Sequence, residues 1–246
     1  ALIARLPQLA SASSVYIPQP TYNEHAAAFR VYDQDTQGHD SAEIRVFVHP
    51  NNPDGRLWDR SVIQSNHREM TVIDESFCDT VPEFSHVADA AKPGILILKS
   101  FGKFWGLAGL RLGFAIGARA TLARPTALPA SGPAPDADLA DLLGPWPVSG
   151  PALDIGARAL ADTDWTQKTR LRLANDAVRL DALMAPHSNL VGGTDLFRLF
   201  AVDNAEEWQD RLAKKHIWSR RFPYSKTWLR LGLPAPDRWD ELKEAL

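Results

Sequence analysis

The sequence predicts an α/β protein: a mostly parallel sheet with helices on both faces, followed by a smaller C-terminal α+β domain. Three observations carry this expectation. Short apolar runs alternate with helical stretches through the first half of the chain, the pattern of parallel strands buried on both sides. Polar residues follow the ends of those runs, where ligands bind in such sheets. A long helical stretch, Trp165 to Met184, then leads into strand, helix, strand and helix signals. At about 150 residues per domain, the 246 residues divide into a large domain over 1–160 and a small one over 161–246.

Taken in order, ALIARLPQLA reads as a helix, and Ser14 to Ile17 as a short strand stopped by Pro18 and the turn Pro20-Thr21-Tyr22. Glu24 to Tyr32 follows as a helix with alanines and Phe29 on one side. Ile44 to Val48 is a second strand, closed by the turn formers His49-Pro50-Asn51-Asn52-Pro53-Asp54-Gly55. Leu57 to Met70 has the pattern of an amphipathic helix, and Thr71 to Ile73 begins a third strand that runs into Asp74-Glu75-Ser76-Phe77. A helical or irregular piece at His86 to Ala91 precedes the fourth strand at Ile95. Ala118 to Trp146 is rich in alanine and proline; it predicts a helix broken by Pro125, a flexible stretch around Ala130 to Pro135, and a helical turn at Asp138 to Leu143. Helices are predicted for Ser149 to Leu160 and Trp165 to Met184. The tail reads as a strand at Leu196 to Val202, a helix at Ala205 to His216, a strand at Trp228 to Leu231 and a helix at Asp237 to Leu246.

Composition narrows the function classes. A net charge of −3, with 27 basic and 30 acidic residues dispersed along the chain, gives no electrostatic footprint for nucleic acid or an acidic membrane. Cys78 stands alone and predicts a buried, inert thiol. No apolar run approaches the roughly 20 residues that span a bilayer, and no signal peptide pattern is visible, so the expectation is a soluble cytoplasmic protein. The 7 histidines show no ligand spacing, so no metal is expected. Nucleotide-loop and zinc-helix motifs are absent from the sequence.

The chemistry centres on Ile95 to Gly117, ILILKSFGKFWGLAGLRLGFAIG. An apolar strand delivers Ser100 and Lys103 onto a glycine-spaced loop, and Arg111 follows before a second apolar run. A lysine that forms a Schiff base, with a hydroxyl and a guanidinium at hand for a phosphorylated cofactor, would need these parts together. The residues beyond strands one to four are Tyr22, Asn52, Asp74, and Ser100 with Lys103, four unlike polar groups on one rim. A carboxylate such as Asp74, at the end of the apolar run VID, needs a partner if buried.

SFGKFWGLAGLRLGF resembles the lysine motif of the fold type I pyridoxal-phosphate (PLP) enzymes, in the class I/II aminotransferase branch that holds histidinol-phosphate aminotransferases and threonine-phosphate decarboxylases. Its wording is most similar to the decarboxylases of cobalamin synthesis. The resemblance implies PLP bound through Lys103, a phosphate contacted by Ser100 and Arg111, and a pyridine nitrogen held by Asp74. Tyr22 would stack on the ring and Asn52, in HPNNPDG, would donate to the 3-oxygen, although His49 and Asp54 depart from the family's NPNNPTG. Arg230 in WLRLGLP and Arg220 in SRRF would bind anionic substrate groups, with Arg221 an open alternative to Arg220. Phe77 stands where the aminotransferases carry a tyrosine hydroxyl, and Glu75 is expected to be structural.

Decarboxylation of L-threonine O-3-phosphate to aminopropanol phosphate is therefore the expected reaction, with an aminotransferase for histidinol phosphate or a similar amino phosphate as the alternative. An inactive remnant of the fold is a third reading. It is motivated by the opening helix, which in the resembled family follows a small-residue loop that holds the cofactor phosphate; the sequence reads as a fragment or as a chain lacking part of that site. The resemblance also implies a homodimer.

Overall fold

In the computed structural model of the chain, which describes residues 1–9, 14–32, 36, 41–64, 69–123 and 138–246, the apolar run Ile44–Val48 is a wholly buried strand. It is β2 of a five-stranded sheet ordered β1-β2-β3-β4-β5, with β1 Val15–Tyr16, β3 Met70–Asp74, β4 Ile95–Ser100 and β5 Gly113–Gly117. The first four strands run parallel. β5 returns antiparallel to β4, pairing Ser100 with Gly113, so the apolar run after Arg111 is a partly buried edge strand.

The period of two sorts the strand residues between two cores. Ile44, Val46, Met70, Val72, Leu96 and Leu98 face Leu6 and Leu9 of a 3-10 helix, Ala26 and Phe29 of α1 (Asn23–Arg30), and Leu139. Phe47, Ile73, Ile95 and Ile97 face the other way onto Ile63 of α2 (Arg60–Gln64), Ala90 and Trp58. Burial on both sides explains why these strands read as unbroken apolar runs. Each fully buried large side chain here contributes about 1.5–3 kcal/mol.

Local differences from the sequence reading have local causes. The opening helix is a 3-10 helix, Ile3–Leu9, with Pro7 inside it; a proline there removes a donor that an α-helix would use. The amphipathic stretch Leu57 to Met70 contributes only α2 among its described residues, and Met70 already belongs to β3, where its side chain joins the sheet core. Residues 65–68 and 124–137 lie outside the described residues, and with them the predicted break at Pro125 and the stretch Ala130 to Pro135. α3 (Arg119–Leu122) precedes that segment; α4 (Leu139–Leu143) follows it behind an Asp138 cap and capping box. α5 (Gly150–Ala161) buries Ala152 and Gly156. A Cβ at Gly156 would fall 2.4 Å from Leu112 Cδ2.

Contacts divide the chain into two compact units, 1–51 with 57–161, and 52–56 with 162–246. The second is an antiparallel sheet ordered β6-β7-β9-β8, made of β6 Asn189–Thr194, β7 Phe197–Ala201, β8 Arg220–Phe222 and β9 Ser225–Gly232. α6 (Thr163–Met184), α7 (Ala205–Ala213) and α8 (Trp239–Ala245) supply Leu180, Met184, Trp208, Leu212, Trp239 and Leu242 to its core. The sequence reading missed β6 and β8. The five-residue segment 52–56 joins this unit through glycine: Gly55 sits at φ +73, and a Cβ on it would fall 1.9 Å from Gly193 O.

Candidate active site

Asp74 ends β3 and is 3 % exposed. Its Oδ2 lies 2.8 Å from Nε2 of the fully buried His25. Oδ1 accepts from the Ser76 N–H at 3.0 Å and from Ser76 Oγ at 2.5 Å. Burial alone would raise its pKa; the hydrogen bond and charge of His25, with the two Ser76 donors, overcome it and hold the carboxyl below its ordinary range. Asp74 is thus a buried carboxylate kept anionic at neutral pH. Neither His25 nor Ser76 was singled out by the sequence reading. One signal was available: His25 stands four residues before Phe29, on the buried face of α1, and a histidine on such a face needs a partner.

Tyr22 is the residue before α1, 38 % exposed, with its ring edge-on to His25 at 6.1 Å. Its hydroxyl pKa is raised, by burial first and then by Glu24 and Asp74, while Arg111 opposes them. The turn that carries Tyr22 is held by Asn51, fully buried, whose Nδ2 donates to Pro20 O at 3.0 Å and whose Oδ1 accepts from Thr21 Oγ1 at 2.6 Å.

Ser100 is the last residue of β4, and its Oγ accepts from the Gly102 N–H at 3.1 Å. Lys103 lies beyond it on the loop. Its ammonium sits 5.6 Å from the centroid of the Phe77 ring, three residues past Asp74. The two groups on which the reading turns therefore share one rim of the sheet. The Lys103 side chain is exposed, on the loop that follows β4. Among the described residues Lys103 forms no ion pair. Lys99, by contrast, meets Asp79 Oδ1 at 2.6 Å and Glu75 Oε2 at 3.4 Å. Burial works against its charge, yet Asp79 and Glu75 hold its pKa above the usual lysine value. Glu75 is fully buried and also accepts from Ser85 Oγ and the His86 N–H. Cys78 is a buried free thiol, its pKa pushed up to about 12 by burial and then by Glu75.

Arg111 adopts a left-handed backbone conformation, φ 53 and ψ 29, at the end of the turn Ala108–Leu110. Glycine ordinarily takes that conformation. The exposed Arg111 side chain folds back on the same turn, its Nη1 donating to Ala108 O at 3.5 Å.

The remaining sequence-predicted residues belong to the second unit. Asn52 Oδ1 accepts from Arg230 Nη1. Arg230 lies on β9 directly opposite Arg220 of β8. Its guanidinium is sandwiched by the rings of Phe197 and Phe222 at 5.0 and 5.8 Å. Burial, then the like charge of Arg220, lowers its pKa. Arg221 is ion-paired with Glu206 at 2.9 Å. Among the described residues neither Arg220 nor Arg230 has a carboxylate partner. An open concavity of about 430 Å³ also lies in this unit; its Arg198 is already committed to Asp181 through bonds of 2.8 and 2.7 Å.

The first unit's donor set is one anionic carboxylate, one amine without an acid partner, one hydroxyl, one guanidinium and one phenol. The carboxylate suits a protonated pyridine, the amine an aldehyde, the hydroxyl and guanidinium together a phosphate, and the phenol an aromatic face, so the residues present fit PLP. Among the described residues no group of three or more metal-ligating side chains occurs, and no helix is long and apolar enough to cross a membrane.

Comparison with known proteins agrees with this chemistry. The family profile for aminotransferase class I and II matches residues 31–246. The chain is 34 % identical to a threonine-phosphate decarboxylase of Pseudomonas aeruginosa, covering 100 % of this chain and 75 % of that protein. It is 38 % identical to a threonine-phosphate decarboxylase of Sinorhizobium sp, covering 96 % and 71 %. Among solved structures, histidinol-phosphate aminotransferase from Sinorhizobium meliloti in complex with pyridoxal-5'-phosphate superposes with a TM-score of 0.80 at 18 % identity, covering 100 % of this chain and 73 % of that one, a likeness of fold.

Proposed function

This chain belongs to the aminotransferase class I and II family, and from that premise we propose that it is a PLP-dependent lyase that decarboxylates L-threonine O-3-phosphate to aminopropanol phosphate. The observation that carries the substrate class is Arg220 opposite Arg230, two arginines with no acidic partner among the described residues. Like charges across a strand pair repel, and a substrate bearing both phosphate and carboxylate relieves that repulsion with bidentate hydrogen bonds. The relatives named threonine-phosphate decarboxylase support the same reading.

When bound, PLP supplies an electron sink for the pair left behind as carbon dioxide departs. The chain's own residues have separable tasks. Asp74, kept anionic by His25 and Ser76, would hold a proton on the ring nitrogen. Tyr22 would cover one ring face, and Asn52 Nδ2 would donate to the 3-oxygen. Ser100 and Arg111 would take the cofactor phosphate. Lys103 Nζ would hold the cofactor and return a proton to the substrate carbon. Arg220 and Arg230 would fix the two anionic groups, so that the bond to the carboxylate is the one presented for cleavage.

A homodimer and a cytoplasmic location complete the proposal. The exposed Leu153 and Leu160, seven residues apart on one face of α5, support a self-association surface, and light scattering at micromolar concentration tests it. The reaction is tested by product analysis with PLP and L-threonine O-3-phosphate. Carbon dioxide and aminopropanol phosphate in equal amounts are expected. A keto acid and pyridoxamine phosphate without carbon dioxide would reject the lyase in favour of an aminotransferase.

A further inference from the structure

Trp105, in the FWGLAGLRLGF run, has no part in the reaction as described, yet its surroundings are specific. Its Nε1–H donates to Asp79 Oδ2 at 3.2 Å, and the other oxygen of the same carboxylate holds Lys99 Nζ at 2.6 Å. Lys99 reaches in turn to Glu75 Oε2 at 3.4 Å. The indole stacks on Phe101, 5.2 Å between centroids with 13° between planes, and receives Phe104 edge-on at 5.2 Å. Backbone bonds from Leu107 N to Phe101 O and from Gly106 N to Lys103 O close the loop around these rings.

These contacts join two segments, 74–79 with Asp74 and Phe77, and 99–105 with Ser100 and Lys103. Lys103 itself is exposed, with its ammonium 5.6 Å from the Phe77 ring centroid, and it is carried on this loop. We propose that Asp79 and Trp105 form a latch of positioning residues that holds Lys103 over Phe77 for bonding to the cofactor aldehyde, and that the same carboxylate withholds Lys99 from that reaction. The inference rests on the PLP reading above. Its chemical basis is that an amine attacks an aldehyde only through its free lone pair. Lys99 is held between the carboxylates of Asp79 and Glu75, whereas among the described residues Lys103 forms no ion pair.

The test uses the whole chain incubated with PLP, reduced with borohydride and digested, with the pyridoxyl label counted at Lys103 and at Lys99 by mass spectrometry. Trp105→Phe keeps the stack and loses the N–H donor; labelling at Lys103 is expected to slow about tenfold, the loss of one charge-assisted hydrogen bond. Asp79→Asn keeps an acceptor for the indole and removes the nearer of the two carboxylates that hold Lys99; the Lys99 to Lys103 label ratio is expected to rise about tenfold. A purely structural role would lower the melting temperature without moving that ratio. Wild-type labelling in Trp105→Phe together with an unchanged ratio in Asp79→Asn overturns the latch while leaving the PLP reading intact. No label at Lys103 in the wild-type chain overturns both. Should Trp105→Phe fail to fold, the Asp79→Asn ratio decides alone.

Discussion

His25→Phe isolates the clamp on Asp74. The substitution keeps an aromatic ring of similar shape in a fully buried position and leaves no cavity. What it removes is the 2.8 Å bond to Asp74 Oδ2. Breaking one partner out of a buried charged pair costs about 3–5 kcal/mol. Asp74 keeps both Ser76 donors, which places the loss at the low end, about 3 kcal/mol near neutral pH. The pH dependence gives the stronger check. In the wild-type chain the folded pKa of Asp74 is depressed, so its contribution is present above the ordinary carboxylate value and lost as pH falls through the folded one. Without His25, burial dominates and the folded pKa rises. The variant is then penalised at neutral pH and relieved in acid, and the gap between the two proteins narrows as pH falls. Guanidinium unfolding at several pH values, with hydrogen exchange on the β3 peptide to assign the transition to the first unit, measures this. His25→Gln, which restores an N–H donor, is expected to recover part of the loss. A cost under about 1 kcal/mol at neutral pH, or a gap that widens in acid, would refute the reasoning.

Three further outcomes follow from other parts of the molecule. His49, buried with Nδ1 accepting from the Trp58 N–H and Nε2 donating to Phe84 O, has its pKa lowered by burial and then by His86, whose ring lies edge-on at 4.9 Å; stability carried by it is present above about 6.5 and lost as pH falls through the folded value, at up to about 1.4 kcal/mol per pH unit. His49→Gln is expected to flatten that acid slope in thermal melts. Arg230→Gln is expected to lower kcat/KM for the phosphorylated substrate by about tenfold to a hundredfold through loss of a charge-assisted bond, while Arg221→Gln, which breaks only the exposed pair with Glu206, leaves it within about twofold. Gly55→Ala, at φ +73 with its Cβ 1.9 Å from Gly193 O, is expected to destabilise the second unit by about 1–3 kcal/mol, read as an earlier melting transition.

The strands that position the rim were legible because they are buried on both faces. Ile44 to Val48 and Ile95 to Leu98 could hardly be read otherwise. β6, NLVGGT, escaped because it is largely exposed and carries two glycines chosen for backbone contact: at Gly192 a Cβ would fall 2.2 Å from Asp54 O. β8 escaped because three residues with two exposed arginines carry no strand signal; their pattern answers to a charge across the sheet and not to a core. The antiparallel return of β5 is likewise invisible to periodicity, since an edge strand of either direction shows the same apolar run. The assignment of residues 52–56 to the second unit depends on glycine packing that sequence distance hides.

The site was legible in its reactive groups and illegible in what governs them. Lys99 and Lys103 are four residues apart in one motif, and nothing in their side chains distinguishes them. The fold does so by strand register: Lys99 pairs with Phe114 inside the β4–β5 ladder, which aims its ammonium at Asp79 and Glu75, whereas Lys103 has left the ladder for the loop and meets only the face of Phe77. A carboxylate that keeps one lysine protonated and, through Trp105, fixes the loop of the other couples the choice of nucleophile to its placement.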